Sequence, residues 1–270
     1  MVNNHKAEFI KIFSQFSHRK NRYDVFRDFI MMSGFSLQNS ILKCEYIEAE
    51  YMDIVKRYTK EEVHLFPKLL AELTLGLNAE MGDFLGEIFM SLGFGESRMG
   101  QFFTPYSVAK LMADLCVGDK VSALSNKPFI TLSEPTCGAG GMIIAVAQSM
   151  LEAGFTPFEN LWVEARDIDY VAAMMCYVQL SLLGIPARVV TGNTLTLEEN
   201  RVFYTPTHYL NNWNYKLNKY WSKENTEDNE KEIVIDTALE LTNSAVVSEE
   251  VSAETFIPIE VEKGENFSFF

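Results

Sequence analysis

The sequence has no long apolar segment. No run approaches the roughly 18 to 20 residues that a membrane span needs, and the N-terminal MVNNHKAEF has no apolar core of a signal peptide. Cysteine is scarce: Cys44, Cys116, Cys137 and Cys176 are scattered, with no CxxC pair and no histidine at ligand spacing. We therefore expect a soluble, cytoplasmic protein with buried thiols and neither a zinc site nor a disulfide framework.

Basic residues are also few. The chain has 23 Lys and Arg against 37 Asp and Glu, and a net charge of −14 argues at first sight against a nucleic-acid partner. The charge is unevenly distributed, however, because residues 224–270 carry −11 of it. The basic run SHRKNRYD, starting at Ser17, could contact phosphates, although a solvated helix face is the simpler interpretation. Charge alone therefore leaves a nucleic-acid partner open.

The 270 residues, 47% of them hydrophobic, are enough for a substantial core and one or two domains. Apolar residues recur at helical spacing in residues 9–16, 25–30 and 51–79, and Glu80–Leu92 continues the pattern. This periodicity predicts a helical N-terminal domain over residues 1–99.

The chain is organised around residues 130–142, ITLSEPTCGAGGM. A β-branched run ends at Glu134, a glycine-rich turn with Gly138 and Gly140 follows, and a helical pattern starts at Met142. The free N–H groups of that helix would point back at the turn and suit a nucleotide-like ligand. The spacing lacks the full GxGxxG fingerprint, so a glycine turn that merely changes direction is an equal alternative.

Two further strands follow this turn. Leu161–Ala165 leads into an acidic cluster, a helix runs to Leu183, and Ala187–Thr191 forms the next strand. This alternation predicts a parallel doubly wound sheet. Asp167 is then placed to hold ribose hydroxyls, although an acid at a strand end is often only a helix N-cap, as we expect for Asp169.

An aromatic pair, Phe102 and Phe103, precedes Thr104 and Pro105, which are predicted to cap and open an amphipathic helix. The two rings either staple their loop to the core or form a second wall of the ligand site.

Four motifs carry a family resemblance: GQFFTP at Gly100–Pro105, EPTCGAGG at Glu134–Gly141, ARDID at Ala165–Asp169 and GNTL at Gly192–Leu195. In order and spacing they resemble the motifs of adenine-N6 DNA methyltransferases of the γ arrangement, in particular the modification subunit of type I restriction systems. The resemblance implies a Rossmann-like sheet that binds S-adenosylmethionine, DNA as a partner, and a protein partner for target recognition. It implies no metal.

The same resemblance assigns site residues. Phe103, Thr104 and Pro105 would contact the methionine end, with Glu134 near its amino group. Gly138 and Gly140 would admit the cofactor, Asp167 would bind the ribose, and Asn193 would meet the adenine N6. Asn193 replaces the usual Asp, keeping an acceptor oxygen but losing the charge. Neighbouring residues of the same motifs complete the predicted cofactor site: Pro135, Cys137 and Ile168.

The catalytic Asn/Asp-Pro-Pro-Tyr/Phe motif of that family is not found. The corresponding region has Arg201–Tyr204 as a short fourth strand, then Thr205 and Pro206, with Thr207 and His208 in place of the second proline and the aromatic. A threonine hydroxyl cannot supply a planar carboxamide acceptor. We therefore predict an aromatic loop that packs on the sheet and assign no catalytic residue.

Two hypotheses about function remain. The chain is either an S-adenosylmethionine-binding adenine-N6 DNA methyltransferase-like protein that acts with a partner, or an inactive homologue that serves as a DNA- or protein-interaction module, for example in modulating restriction-modification. Residues 100–222 would form the α/β core. Residues 223–270 would form an acidic tail whose strand-like segments 232–236, 254–261 and 266–270 either complete the sheet or stay mobile.

Overall fold

The structure is a computed structural model that describes residues 4–97, 102–124 and 127–222. One compact unit comprises Met1–Leu217, and Asn218–Phe270 forms a second, of which residues 218–222 are described as helical. The three strand-like segments predicted beyond residue 223 lie outside the described residues. The domain boundaries at residues 99 and 222 stay predictions.

The N-terminal part of the first unit is helical, as the apolar spacing predicts. Its helices are α1 His5–Phe13, α2 Arg22–Leu42, α3 Glu45–Val55, α4 Lys60–Val63, α5 Leu65–Ala79, α6 Phe84–Ser91 and α7 Phe94–Ser97. Helix α6 begins four residues later than predicted, because Asp83 caps it by accepting a hydrogen bond from the Gly86 N–H at 2.8 Å. The single helical pattern over residues 51–79 is divided among α3, α4 and α5.

Phenylalanine rings form the core of this helical part. Phe26 of α2 has no exposed surface, and its ring centroid lies 5.5 Å from that of Phe94 and 5.9 Å from that of Phe89. Phe13 of α1 completes the group at 6.4 Å from Phe26. Tilted and edge-to-face contacts of this kind add to the hydrophobic stabilisation of the buried rings.

The second part is a sheet with helices packed on it. Its strands are β1 Ile130–Glu134, β2 Leu161–Asp167, β3 Ala187–Thr191 and β4 Arg201–Tyr204, in the order β1-β2-β3-β4. The associated helices are α8 Tyr106–Leu124, α9 Gly141–Glu152, α10 Pro157–Asn160, α11 Tyr170–Leu182 and α12 Pro206–Leu210. Strands β1, β2 and β3 are parallel, so the predicted α/β fold with a helical N-terminal segment is confirmed.

Strand β4 pairs with β3 in the antiparallel direction, with Val189 opposite Phe203. In the order β1-β2-β3-β4, strands β1 and β4 lie at opposite edges of the sheet. In a doubly wound sheet, by contrast, the first strand is central. Among the described residues, β1 has a neighbour on one side only. The short strand at Arg201–Tyr204 is thus correctly predicted, but its partner and direction are not those of a fourth parallel strand.

The segment after β4 is structural. Thr205 Oγ1 donates to the Ile185 carbonyl at 2.9 Å and accepts from the Ala187 N–H at 2.9 Å. His208 is 1% exposed, and its Nδ1 accepts a hydrogen bond from Trp162 Nε1 at 3.2 Å. The segment predicted as an aromatic loop is instead the short helix α12, whose Thr207 and His208 are buried.

A buried amide joins the helical part to the sheet. Gln179 of α11 has no exposed surface, and its Oε1 accepts a hydrogen bond from the Leu85 N–H at 3.0 Å. Its Nε2 donates to Asp83 Oδ1 at 2.9 Å and to the Ala139 carbonyl at 2.8 Å. The Gln179 side chain therefore fixes the position of the start of α6 relative to the loop after β1.

Helix α8 packs on α9, and Ala109, Ala113 and Val117 are its buried apolar residues among those whose side chains are described. Four other apolar side chains of this helix are between 45% and 72% exposed: Val108, Leu111, Met112 and Leu115. Cys116 is exposed on this helix and Cys44 is half-buried, so the expectation of buried thiols is wrong for both, while Cys137 and Cys176 are buried. No helix in the described ranges combines the length and apolar character needed to cross a membrane.

We expect Phe26→Ala to lower the free energy of unfolding by about 3–5 kcal/mol, because it leaves a cavity among tightly packed rings. Leu75→Ala on α5 is the matched control: Leu75 is 50% exposed, and we expect a loss below about 1 kcal/mol. Urea denaturation of both variants measures the difference, and equal losses would contradict the packing described.

Candidate functional site

The loop after β1 is held in shape by its backbone. The Cys137 N–H donates to the Arg166 carbonyl of β2 at 2.8 Å, and the Gly140 N–H donates to the Cys137 carbonyl at 2.8 Å. Gly138 and Gly140 have φ values of 52° and 94°, a region that L-residues with a Cβ rarely adopt. These constraints turn the chain from the carboxyl end of β1 into the start of α9 at Gly141.

Asp167, at the carboxyl end of β2, binds this loop through its side chain. Its Oδ2 accepts from the Gly138 N–H at 2.8 Å, and its Oδ1 accepts from the Asp169 N–H at 2.8 Å. Burial raises the pKa of Asp167, while these backbone hydrogen bonds act in the opposite direction. Asp169 caps α11 by accepting from the Val171 and Ala172 N–H groups, as predicted.

The aromatic pair before α8 serves both of its proposed roles. The Phe103 ring lies 5.1 Å from the ring of Phe89, which attaches its loop to the core. A Cβ built on Gly138 would lie 3.0 Å from the Phe103 ring, so the missing side chain of this glycine makes room for the ring. Phe102 is 64% exposed. Helix α8 itself begins one residue later than predicted, at Tyr106.

These elements enclose a cavity of about 430 Å³ at the carboxyl ends of β1 and β2. Its lining consists of Asp83, Phe102, Phe103, Thr104, Glu134, Thr136, Cys137, Gly138, Ala139, Gly141, Met142 and Asp167. The volume is within the range of small-molecule sites, and the place is where open α/β sheets bind ligands. Three lining residues are carboxylates and none is Lys or Arg, which favours a cationic ligand.

Six of the predicted site residues therefore share this cavity: Phe103, Thr104, Glu134, Cys137, Gly138 and Asp167. The other five are not among its lining residues. Pro105 lines a neighbouring depression, Ile168 is 73% exposed, and the Pro135 carbonyl accepts from Thr194 Oγ1 at 2.5 Å. The Cβ position of Gly140 is filled by Cys176 Sγ at 3.0 Å, and Asn193 Oδ1 accepts from the Leu195 N–H at 2.9 Å.

Asp83 is the lining residue that the sequence patterns did not indicate. It comes from the helical part, and a capping aspartate before an apolar helix looks ordinary in a sequence. The only local signal was its place in DFLGEIF, residues 83–89, which precedes the GQFFTP motif at Gly100. Its approach to the cavity depends on Gln179, which lies 96 residues further along the chain.

The thiol of Cys137 is not suited to nucleophilic chemistry. A hydrogen bond with Cys176 and burial both raise the pKa of the Cys137 thiol well above its ordinary value, so it stays protonated. No group of His, Cys, Asp or Glu within the described ranges could hold a metal ion. The cavity is equipped to bind and orient a ligand.

Parallel strands with a cavity at their carboxyl ends are the arrangement in which open α/β sheets bind ligands. The chain matches the N-6 DNA methylase family over residues 82–245, more than half of its length, and it belongs to that family. No curated protein matches the chain.

One solved structure similar to the chain is that of a putative class I S-adenosylmethionine-dependent methyltransferase from Listeria monocytogenes. It has 16% sequence identity and a TM-score of 0.40, over 72% of this chain and 55% of that chain. The present chain therefore spans only about half of that protein's length.

Family membership makes S-adenosylmethionine the cofactor. The cavity fits this molecule in two respects. S-adenosylmethionine carries a sulfonium, an ammonium and a carboxylate group, a net charge of +1, and its two cationic groups complement the three carboxylates of the lining. Asp167 adds carboxylate oxygens that can accept from hydroxyl groups.

Gly138→Ala tests the loop geometry. The new Cβ would meet the Phe103 ring and strain a left-handed backbone, so we expect S-adenosylmethionine binding to weaken at least about tenfold, measured by calorimetry. Gly154→Ala is the matched control, because Gly154 has φ 86° but no atom within 4 Å of its Cβ position. It should lose about 1–2 kcal/mol of stability and keep its affinity. Unchanged affinity in Gly138→Ala would contradict this geometry.

Proposed function

We propose that the protein is an S-adenosylmethionine-binding, DNA adenine-N6 methyltransferase-like protein of the type I modification-subunit kind. One observation carries the proposal: motif residues from three separate parts of the chain, Phe103, Glu134 and Asp167, line one acidic cavity at the carboxyl ends of β1 and β2. A chance resemblance of short motifs would not be expected to bring them together.

In this proposal the ends of two strands bind two different parts of the cofactor. Asp167, at the end of β2, accepts from the ribose hydroxyls while its backbone partner Gly138 fixes the loop. Glu134, at the end of β1, faces the amino group of the methionine end, and Phe103 covers the glycine loop. Asn193 Oδ1 accepts from the Leu195 N–H and has a second lone pair that can accept from the adenine amino group.

DNA is the expected substrate of a DNA methylase, and we propose that target recognition comes from a protein partner. The sequence lacks the motif that holds a flipped adenine, and the segment after β4 is occupied with internal hydrogen bonds. Extracting a base from a duplex needs a pocket that stacks it and accepts from its amino group. A second polypeptide would supply that pocket.

Asp167→Ala tests the cofactor site. The substitution removes the proposed ribose acceptor and the hydrogen bond to Gly138, so we expect the affinity for S-adenosylmethionine to fall at least about tenfold in calorimetry. Glu164→Ala is the control, because it removes a carboxylate from the same strand whose ion pairs are with Arg166 and Arg188, outside the cavity. Equal affinity of wild type and Asp167→Ala would overturn the assignment of the site.

The second candidate is a catalytically inactive homologue that acts as an interaction module. It is favoured by the burial of Thr205, Thr207 and His208. These residues occupy the position in the sequence at which the family has its catalytic motif. His208 is 1% exposed, and burial lowers its pKa, so it is held as a neutral packing residue. Both candidates share the cofactor cavity and differ in methyl transfer.

Transfer of labelled methyl groups to duplex DNA separates the two candidates. We expect the purified chain alone to bind S-adenosylmethionine and to transfer no label, because its sequence has no Asn/Asp-Pro-Pro-Tyr/Phe motif to hold an adenine amino group. Transfer by the chain alone would eliminate the inactive candidate and the need for a partner. Transfer that appears only after co-purification with proteins from its host would favour the modification-subunit candidate.

A further inference from the structure

The carboxylate of Asp83 is only half satisfied by the protein. The residue is 3% exposed, and its Oδ1 accepts from the Gly86 N–H at 2.8 Å and from Gln179 Nε2 at 2.9 Å. Throughout residues 4–97, 102–124 and 127–222, no hydrogen bond to Oδ2 is formed. Oδ2 is not among the side-chain atoms that are fully buried without a partner, so this acceptor is open to the cavity and available to a ligand.

The free oxygen belongs to the wall of the cofactor cavity. Asp83 is one of the cavity's lining residues, and its Oδ2 lies 3.1 Å from the position that a Cβ on Gly141 would occupy. Gly141 is the first residue of α9, so Oδ2 lies beside the start of the helix that follows the glycine loop. A larger residue at position 141 would crowd this carboxylate.

The other two carboxylates of the lining are differently engaged. Both oxygens of Asp167 accept backbone hydrogen bonds, and Glu134 Oε1 accepts from the Thr136 N–H at 3.3 Å. Asp83 is the most buried of the three, and burial raises its pKa against the effect of its hydrogen bonds. A cation in the cavity would offset this desolvation.

Two groups of the cofactor are cationic, and the chemistry distinguishes between them. A sulfonium has no N–H or O–H and cannot complete the hydrogen bonding of an oxygen. An ammonium group carries three donors, so it can supply both a hydrogen bond and a charge. The orphan oxygen therefore matches the ammonium end of the methionine part.

We propose that Asp83 is a further cofactor-binding residue, whose Oδ2 accepts a hydrogen bond from the ammonium group of S-adenosylmethionine. This inference rests on the proposed function of the cavity. It makes the helical part of the protein a direct contributor to cofactor recognition, at a position that the family motifs in the sequence did not mark.

The test compares three ligands by calorimetry on the full chain. S-adenosylmethionine has the ammonium and the sulfonium, S-adenosylhomocysteine has the ammonium alone, and 5′-methylthioadenosine has neither. In Asp83→Asn the side-chain oxygen is retained by the Gly86 N–H and Gln179, so the amide NH₂ replaces Oδ2 and faces the ligand. We expect the first two ligands to bind at least about tenfold more weakly and 5′-methylthioadenosine within about twofold of wild type.

Glu87→Gln is the control for a general change of charge. Glu87 is on the same helix and half-exposed, it forms an ion pair with Lys6, and it is not among the lining residues of this cavity. We expect the affinities for all three ligands to be unchanged in this variant.

Other outcomes would overturn the inference in identifiable ways. An equal loss for 5′-methylthioadenosine would mean that Asp83 acts only by shaping the loop, and a loss for S-adenosylmethionine alone would assign it to the sulfonium. A folded wild type that binds none of the ligands would refute the proposed function itself.

If Asp83→Asn folds poorly, a second variant can test the same contact. Asp83→Ser preserves a capping oxygen for the Gly86 N–H and removes the charge, the second oxygen and the acceptor position that Gln179 uses. If this variant also fails to fold, wild-type protein can be compared on S-adenosylhomocysteine and on its analogue with hydrogen in place of the amino group. Equal affinities for those two ligands would overturn the inference.

Discussion

The buried amide of Gln179 is the interaction on which the site depends. It donates to the Ala139 carbonyl in the glycine loop and to Asp83, and it accepts from the Leu85 N–H of α6. Without it the Ala139 carbonyl and the Leu85 N–H would lose these partners in the interior, at a cost of about 1–3 kcal/mol per group, and Asp83 Oδ1 would keep only the Gly86 N–H. The loop that follows β1 is therefore positioned as much by the helical part as by its own glycines.

The negative charge of the protein has opposite consequences for DNA and for the cofactor. An acidic protein of net charge −14 is poorly suited to attract DNA, yet the carboxylates of this cavity are well suited to the sulfonium and ammonium groups of the cofactor. Of these carboxylates, Asp167 also orders the loop, because it accepts from the Gly138 N–H. Asp167 thus serves both ligand recognition and loop geometry, so a substitution at this position affects the two together.

Local sequence patterns predicted what is local in the structure. Strand β1 ends at Glu134 and β3 spans Ala187–Thr191 as predicted, because β-branched runs bounded by glycine and proline leave few alternatives. The antiparallel direction of β4 could not be predicted, since it depends on pairing with β3. The position of Asp83 was likewise hidden, because it follows from a contact with Gln179 across 96 positions of sequence.

Asn193 illustrates the limit of assignment by motif. Its place at the end of β3 agrees with the pattern, but its side chain is engaged in a turn with the Leu195 N–H.

Strand β1 forms an edge of the described sheet. Its outward backbone groups have no strand beside them within the described residues, so this edge of the sheet can accept a further strand. The side chains exposed along it, Thr131 and Ser133, carry hydroxyl groups that suit a border in contact with water.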